Sequence, residues 1–123
     1  MFNFEKLEVW QKAIDFAHLI YNETRGFPSE ERFGLTNQLR RAAVSVSSNI
    51  AEGSSRSSRT DFARFAEIAA GSVFEAVSQS FIARRQNFFT EDQFRNVYMD
   101  AEQLSLMLSD LRKSLILPLN PQL

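Results

Sequence analysis

The feature that most constrains this 123-residue chain is a run of apolar residues spaced alternately by three and four positions near its carboxyl end. Residues with that spacing lie on one face of an α-helix, as in the seam of a helical bundle. The run consists of Phe94, Val97, Ala101, Leu104, Leu108, Leu111 and Leu115. A second seam with the same spacing consists of Leu7, Trp10, Ile14, Ala17, Tyr21 and Thr24. Both seams predict long helices that pack side by side.

Three breaks interrupt the helical pattern, at residues 26–29, 53–58 and 87–90. Gly26 and Gly53 can adopt the left-handed backbone conformation that ends many helices. Ser29 is expected to cap the second helix with its hydroxyl oxygen. Ser58 and Thr90 each begin a capping-box pattern, so we expect the third and fourth helices to start there.

The breaks divide the chain into four helices, predicted at about 4–25, 29–53, 58–87 and 91–117. Pro118 and Pro121 stop the last helix and leave residues 118–123 as a C-terminal tail. Helices joined by such short connections pack antiparallel to one another. The sequence therefore predicts an all-α fold, with one up-down-up-down four-helix bundle domain at residues 1–117.

The composition excludes several classes of function. Fourteen Lys and Arg residues against fifteen Asp and Glu residues give a net charge of −1, so bulk positive charge cannot coat nucleic acid. The chain has no Cys and one His, which removes thiolate chemistry and most zinc chemistry. Neither a membrane-spanning segment nor a signal peptide is recognisable, so the expected location is the cytoplasm.

The third helix has more apolar surface than one bundle helix needs. Phe and Ala residues cover well over half of its circumference, and Ile68 and Ile82 lie outside even that arc. Because such a helix must be buried nearly all round, we predict a homo-oligomer packed through the second and third helices. The candidate interface residues are Val44, Ser47, Ser48, Ala51, Ile68 and Ile82. In the alternative, the extra Ala and Phe residues enlarge the core of a monomer.

Residues that could carry catalysis or bind a metal are scarce. Asp15 and His18 have the carboxylate-x-x-His spacing of di-iron bundles, but that site needs a second His, which the chain lacks. The serines have no nucleophile elbow, and no glycine-rich phosphate loop occurs. We therefore predict no catalytic residue, metal, cofactor or small-molecule substrate. A metal-dependent enzyme that uses Asp15 and His18 is the third alternative considered for function.

Positive charge is concentrated around the turn between the second and third helices. Five of the eleven arginines lie there within 25 residues, opposed by Glu52 and Asp61. The planar guanidinium group binds phosphate well, and serine hydroxyls and helix amides can add contacts to an anion. The candidate nucleic-acid-binding residues are Arg40, Arg41, Arg56, Arg59 and Arg64. In the alternative, Arg40 and Arg41 pair with acids of a neighbouring subunit, such as Glu52.

Several motifs occur together along residues 4–117. The most distinctive is the run at 38–53, which contains Arg40 and Arg41 and ends in the five residues Asn49, Ile50, Ala51, Glu52 and Gly53. The others are Leu7-x-Val9-Trp10, Phe27-Pro28, Phe33-Gly34-Leu35, and Ile68-Ala69-Ala70-Gly71-Ser72 followed by Glu75. In this combination the sequence resembles the 23S rRNA-intervening sequence protein family.

That resemblance implies a four-helix bundle whose relatives are encoded in intervening sequences of bacterial large-subunit rRNA genes and elsewhere in bacterial genomes. The similar accessory variability proteins of diversity-generating retroelements form pentameric barrels that bind nucleic acid and a reverse transcriptase. The resemblance therefore implies a homopentamer, with RNA or DNA and a nucleic-acid-processing protein as partners. Those accessory proteins are markedly basic and this chain is not, so its binding would depend on local arginines and be sensitive to salt.

The leading hypothesis is a non-enzymatic, homo-oligomeric bundle that associates with nucleic acid or ribonucleoprotein through its arginines. The alternative is a protein-binding scaffold without nucleic-acid binding, which the near-neutral net charge favours. The signature residues 49–53 fit either a functional or a structural role. Asn49 lies near the end of the second helix, where its amide can donate to carbonyls of an adjacent turn or subunit.

Overall fold

The structure is a computed structural model that describes residues 1–117. Its four helices are α1 Glu8–Glu23, α2 Leu35–Ser54, α3 Arg59–Arg85 and α4 Glu91–Ile116. Two 3₁₀ turns, Asn3–Lys6 and Ser29–Glu31, precede α1 and α2. The predicted all-α fold with four helices is confirmed. The predicted C-terminal tail at 118–123 lies outside the described residues.

The helices form a bundle in which α2 packs against α1 and α3, and α4 packs against α3 and α1. Pairs across α2 and α3 show that these two helices are antiparallel, because Ser45 meets Ser72 and Gln38 meets Gln79. The core contains the buried side chains Phe16, Ile20, Leu39, Val46, Ile50, Val73, Val97, Leu104 and Leu108. Within residues 1–117, no helix combines the length and apolar character needed to cross a bilayer.

The two sequence seams have different outcomes. The seam of α4 is confirmed, since its residues from Phe94 to Leu108 are buried. The seam predicted for α1 is wrong at Ile14 and Tyr21, which are exposed, whereas its members Leu7, Trp10 and Ala17 pack at the edge of the core. The residues that α1 buries are Val9, Ala13, Phe16 and Ile20. Both stripes have a helical period, and the stripe with Phe16 and Ile20 is the one that fills the core between the other helices.

Two helices begin later than predicted. Leu7 has an extended backbone, so α1 starts at Glu8 and a separate turn precedes it. The start of α2 moves from residue 29 to Leu35, because the backbone of Gly34 is non-helical. Ser29 therefore does not cap α2. Its place is taken by Glu31, whose Oε1 accepts a hydrogen bond from the Leu35 amide at 3.1 Å.

Polar caps mark the starts of α3 and α4, as predicted. The Ser58 hydroxyl accepts from the Asp61 amide at 3.0 Å. Thr90 and Gln93 complete a reciprocal capping box, with distances of 3.1 and 2.9 Å. The left-handed residue at a helix end is Asn87, with a φ of 62°, which ends α3. No glycine in residues 1–117 has a positive φ, so the conformation expected for Gly26 and Gly53 is wrong.

Gly53 has a packing role in place of the expected turn. It lies inside the last turn of α2 and is buried. A Cβ atom at this position would lie 2.7 Å from the Cβ of Phe65 and 2.8 Å from Cδ1 of Phe62. The absence of a side chain at residue 53 therefore lets the end of α2 approach the start of α3.

Replacing Gly53 by Ala is expected to destabilise the fold. Overpacking costs about 1–3 kcal/mol, which exceeds the gain of up to about 1 kcal/mol that Ala has over Gly in a helix. Gly71→Ala is the matched control, because a Cβ at that helical position meets no atom within 4 Å. Denaturant unfolding should show a lower midpoint for G53A and an unchanged or higher midpoint for G71A. Equal shifts in the two variants would contradict the close approach at Gly53.

Candidate functional site

The third helix turns its small side chains inward and several of its large ones outward. Its buried residues are Ala63, Ala66, Ala69, Ser72, Val73, Ala76, Gln79, Ser80 and Ala83. Small residues at a helix contact allow the helix axes to approach closely. Its exposed large apolar residues are Ile68, Phe74, Phe81 and Ile82. A single chain therefore leaves an apolar surface of α3 in water.

Five of the six candidate interface residues keep surface available. Ile68 and Ile82 are 46% and 50% exposed on α3. Val44 and Ser48 are exposed on α2, and Ala51 is half-buried there. Burying such apolar side chains against a second molecule would remove them from water.

Ser47 was also expected at the interface, and the structure corrects that expectation. Ser47 is buried within the chain, and its hydroxyl donates to the Val44 carbonyl at 3.1 Å. It lies seven residues after Arg40 and so on the same face of α2. Because Arg40 lies over the ring of Tyr21 in α1, the part of α2 that carries Arg40 and Ser47 packs beside α1.

Three of the predicted arginines lie at the turn between α2 and α3, and we call Arg56, Arg59 and Arg64 the corner arginines. Arg56 pairs with Glu52 at 2.9 Å and lies over the ring of Phe65 at 4.8 Å. Arg64 pairs with Asp61 at 3.1 Å. Arg59 donates to the carbonyl of Ser114 and thereby joins the start of α3 to the end of α4.

Arg40 and Arg41 are not part of this corner. They lie in the first half of α2, roughly 20 Å from its end at 1.5 Å per residue. Arg40 has a structural role, because its Nε donates to the Thr24 hydroxyl at 3.0 Å. Its guanidinium also lies over the ring of Tyr21, at 4.6 Å from the ring centre. The expectation that all five arginines surround one turn is therefore wrong.

Arg41 is exposed and lines a shallow cavity of about 330 Å³ between α2 and α3. Gln38, Ser45 and Glu75 line the same cavity. Within residues 1–117 Arg41 makes no ion pair. Glu52, the acid expected for an Arg41 of another subunit, is paired with Arg56 of its own chain.

The signature residues 49–53 hold α2 and α3 together. The Asn49 amide donates to the carbonyl and the hydroxyl of Ser45, at 2.8 and 3.0 Å. The same Ser45 hydroxyl lies 2.9 Å from the hydroxyl of Ser72 on α3. Ile50 is fully buried, and Gly53 gives the close approach described above. These contacts give the signature a structural role.

Asp15 and His18 are both exposed on α1. The His18 ring makes a hydrogen bond with the Asn22 side chain at 3.2 Å. In the part of the chain that the structure describes, no three His, Asp or Glu side chains come together as a metal site would require.

Two surface features escaped the sequence interpretation. The first is an apolar groove between α3 and α4, a cavity of about 280 Å³ lined by Phe74, Val77, Tyr98 and Leu106 among others. Leu106 is the one sequence indication of this groove, because it is a large apolar residue outside the apolar seam of α4. The second is Phe33, an aromatic residue in the connection before α2 that is 85% exposed. The sequence analysis includes Phe33 in the predicted helix at 29–53, and that prediction does not show whether its side chain is exposed.

Comparison with known proteins supports the resemblance in sequence. The model of the family described as 23S rRNA-intervening sequence protein matches residues 5–110. A solved protein of unknown function from the S23 ribosomal protein family of Bacteroides thetaiotaomicron VPI-5482 has a similar fold, with a TM-score of 0.79. The two chains are 25% identical over 85% of this chain and 95% of that one. Among curated proteins, none matches the sequence.

The different roles of Arg40 and Arg41 can be separated by their effect on stability. Arg40→Ala should lower the free energy of unfolding by about 1–2 kcal/mol, because it removes packing on Tyr21 and a hydrogen bond to the buried Thr24. Arg41→Ala, the adjacent control, should change it by no more than about 0.5 kcal/mol. Urea unfolding followed by circular dichroism measures both. A larger decrease for R41A than for R40A would contradict the structural assignment of Arg40.

Proposed function

Since the chain belongs to the 23S rRNA-intervening sequence protein family, we propose that it is a non-catalytic protein that self-associates and contacts nucleic acid or ribonucleoprotein through its arginines. The observation that carries the proposal is the large apolar surface that α3 leaves exposed. Five copies is the number implied by the resemblance to the retroelement accessory proteins. A nucleic-acid-processing protein is the further partner proposed.

Self-association is supported by the chemistry of the outer face of α3. Ile68 and Ile82 lie on one side of that face, two heptads or about four helical turns apart. Gly71 and Ser78 lie beside them. Small residues next to large ones allow another helix to approach the backbone while the isoleucines pack around it. Fully burying one such isoleucine contributes about 1.5–3 kcal/mol. The single ionisable side chain between the isoleucines, Glu75, lies opposite Arg41 in the cavity between α2 and α3.

Phosphate binding is supported by the exposure of the corner arginines. The Arg56–Glu52 and Arg64–Asp61 pairs are both on the surface. Exposed ion pairs contribute only about 0–1 kcal/mol, so a phosphate can replace the carboxylate partner at little cost. In a ring the same corner would recur once per copy, and several weak contacts to one nucleic acid would act together.

A protein-binding scaffold without nucleic-acid contact is the second candidate function. The observation that favours it is that Arg56 and Arg64 already have carboxylate partners in their own chain. With a net charge of −1, the assembly as a whole does not attract a polyanion. Under this candidate, substitutions of the corner arginines would weaken binding of a protein partner in the absence of RNA.

Charge placed on the outer face of α3 should break the assembly. We expect Ile68→Glu and Ile82→Glu to lower the mass measured by light scattering, because each would bury an unpaired carboxylate at the interface. Ile14→Glu is the matched control, since Ile14 is an exposed isoleucine on α1, which belongs to none of the proposed interfaces. It should keep the mass of the unmodified protein. An equal effect of all three variants, or of none, would contradict an interface at this face.

Nucleic-acid binding should depend on the corner arginines and on salt. Fluorescence anisotropy with an RNA hairpin and a DNA duplex at low and moderate salt measures it. Replacing Arg56, Arg59 and Arg64 together by Gln should weaken binding. The same replacement should reduce the salt slope by about 0.7–0.9 for each phosphate that the variant no longer neutralises.

The control for charge removes three exposed arginines elsewhere, with Arg25, Arg85 and Arg95 replaced by Gln. Both triple variants lose the same charge, so only the position differs between them. Equal weakening by the two triples would contradict a specific role for the corner. If the unmodified protein binds neither the RNA hairpin nor the DNA duplex at low salt, the proposed nucleic-acid contact is wrong. The protein-binding scaffold is then the remaining candidate function.

A further inference from the structure

Phe33 is held out in solvent by a well-anchored connection. It lies between the 3₁₀ turn Ser29–Glu31 and α2, and 85% of its surface is exposed. On one side the connection is fixed by Phe27, which is buried against the rings of Phe88 and Phe89. On the other side Leu35 is buried. The segment that carries the exposed ring is therefore anchored on both sides.

The groove between α3 and α4 is an apolar cavity that residues 1–117 leave empty. At one end the Phe81 and Tyr98 rings meet, with centres 6.3 Å apart. At the other end Glu67 and Arg112 form an ion pair at 3.4 Å. The cavity between them measures about 280 Å³. An apolar cavity of about 150 Å³ already accommodates benzene, so a phenyl ring fits in this groove.

The Phe33 segment and the groove carry opposite charges. Arg32 places its guanidinium 5.4 Å from the centre of the Phe33 ring. In the described part of the chain, Glu102 is the one charged residue that lines the groove. Within residues 1–117 neither Arg32 nor Glu102 has an ion-pair partner. An aromatic ring with a cation beside it therefore matches an apolar groove with an anion at its edge.

Phe33 cannot reach the groove of its own chain. The start of α2 lies beside the end of α3, where Leu35, Gln86 and Phe88 line a common cavity. The groove is centred near Val77, roughly 14 Å back along α3 from Gln86. In addition, among the described residues α2 makes no contact with α4, which forms the far wall of the groove. Only a second molecule can bring the two features together.

We propose that Phe33 of one copy inserts into the α3–α4 groove of a second copy, where Arg32 of the first copy pairs with Glu102 of the second. The proposal rests on the self-association proposed above and names further surfaces that form it. Because the two surfaces differ, the contact is head-to-tail. Such contacts repeat around a ring or along a filament and do not give a two-fold dimer.

The test is a charge exchange and a mixing experiment, both followed by light scattering. Arg32→Glu and Glu102→Arg should each reduce the mass of the assembly, and the double variant should restore it. Phe33→Glu and Leu106→Glu should each give single chains of 14.1 kDa. Mixed in equal amounts, these two variants should form a two-chain complex, because each retains one of the two surfaces.

Ile14→Glu is again the control for a charge placed at an exposed apolar residue, since Ile14 is 41% exposed on α1, away from both surfaces. It should assemble like the unmodified protein. Circular dichroism should show the same helix content for every variant, as expected of surface substitutions. If Phe33→Glu assembles normally while Ile82→Glu does not, this inference is wrong and self-association through α3 stands. An unmodified protein that is a single chain overturns both.

Discussion

The rest of the structure depends on the close approach of α3 to its neighbours. Its buried face consists mainly of Ala and Ser, and at Gly53 the end of α2 has no side chain at all. Beyond the first turns of α3, where Phe62 and Phe65 pack against Gly53, helices packed through Ala and Ser leave little room between them for Phe or Ile side chains. Ile68, Phe74, Phe81 and Ile82 of α3 are therefore on the outside, where a single chain does not cover them. Close packing within the chain thus produces the exposed apolar surface that, in our proposal, other copies of the chain cover.

The same packing explains what the signature residues do. Asn49 holds Ser45, and Ser45 meets Ser72 on α3. Buried polar groups need such partners, and here the partners join two helices at a small separation. Gly53 continues that contact into the turn, where the corner arginines begin. The sequence motif that most resembles the family is in this way a packing motif, and the arginines around it are placed by the turn that it creates.

Much of the fold could be predicted because its signals are local. The regular seam of α4 and the capping box at Thr90 depend only on residues close in sequence. The face that α1 and α3 each bury could not be predicted from local sequence in the same way. Each has two stripes of apolar residues, and only the positions of the neighbouring helices decide which stripe is buried. In α3 the small residues are buried, against the usual expectation that Phe and Ile occupy the core.

The candidate site was less predictable than the fold. The arginines are close in sequence, but a helix of 20 residues separates Arg40 from the corner and gives it a role in joining α2 to α1. The groove between α3 and α4 combines residues from two helices, so no single stretch of sequence shows it. Phe33 gave no signal either, because its exposure follows from the non-helical backbone at Gly34.

The central claim is that other copies of the chain cover the outer face of α3. Sedimentation velocity of the unmodified protein over a wide range of concentrations tests it most directly. The claim predicts one species with several times the 14.1 kDa mass of the chain, which persists on dilution. A species of 14.1 kDa at every concentration would contradict it.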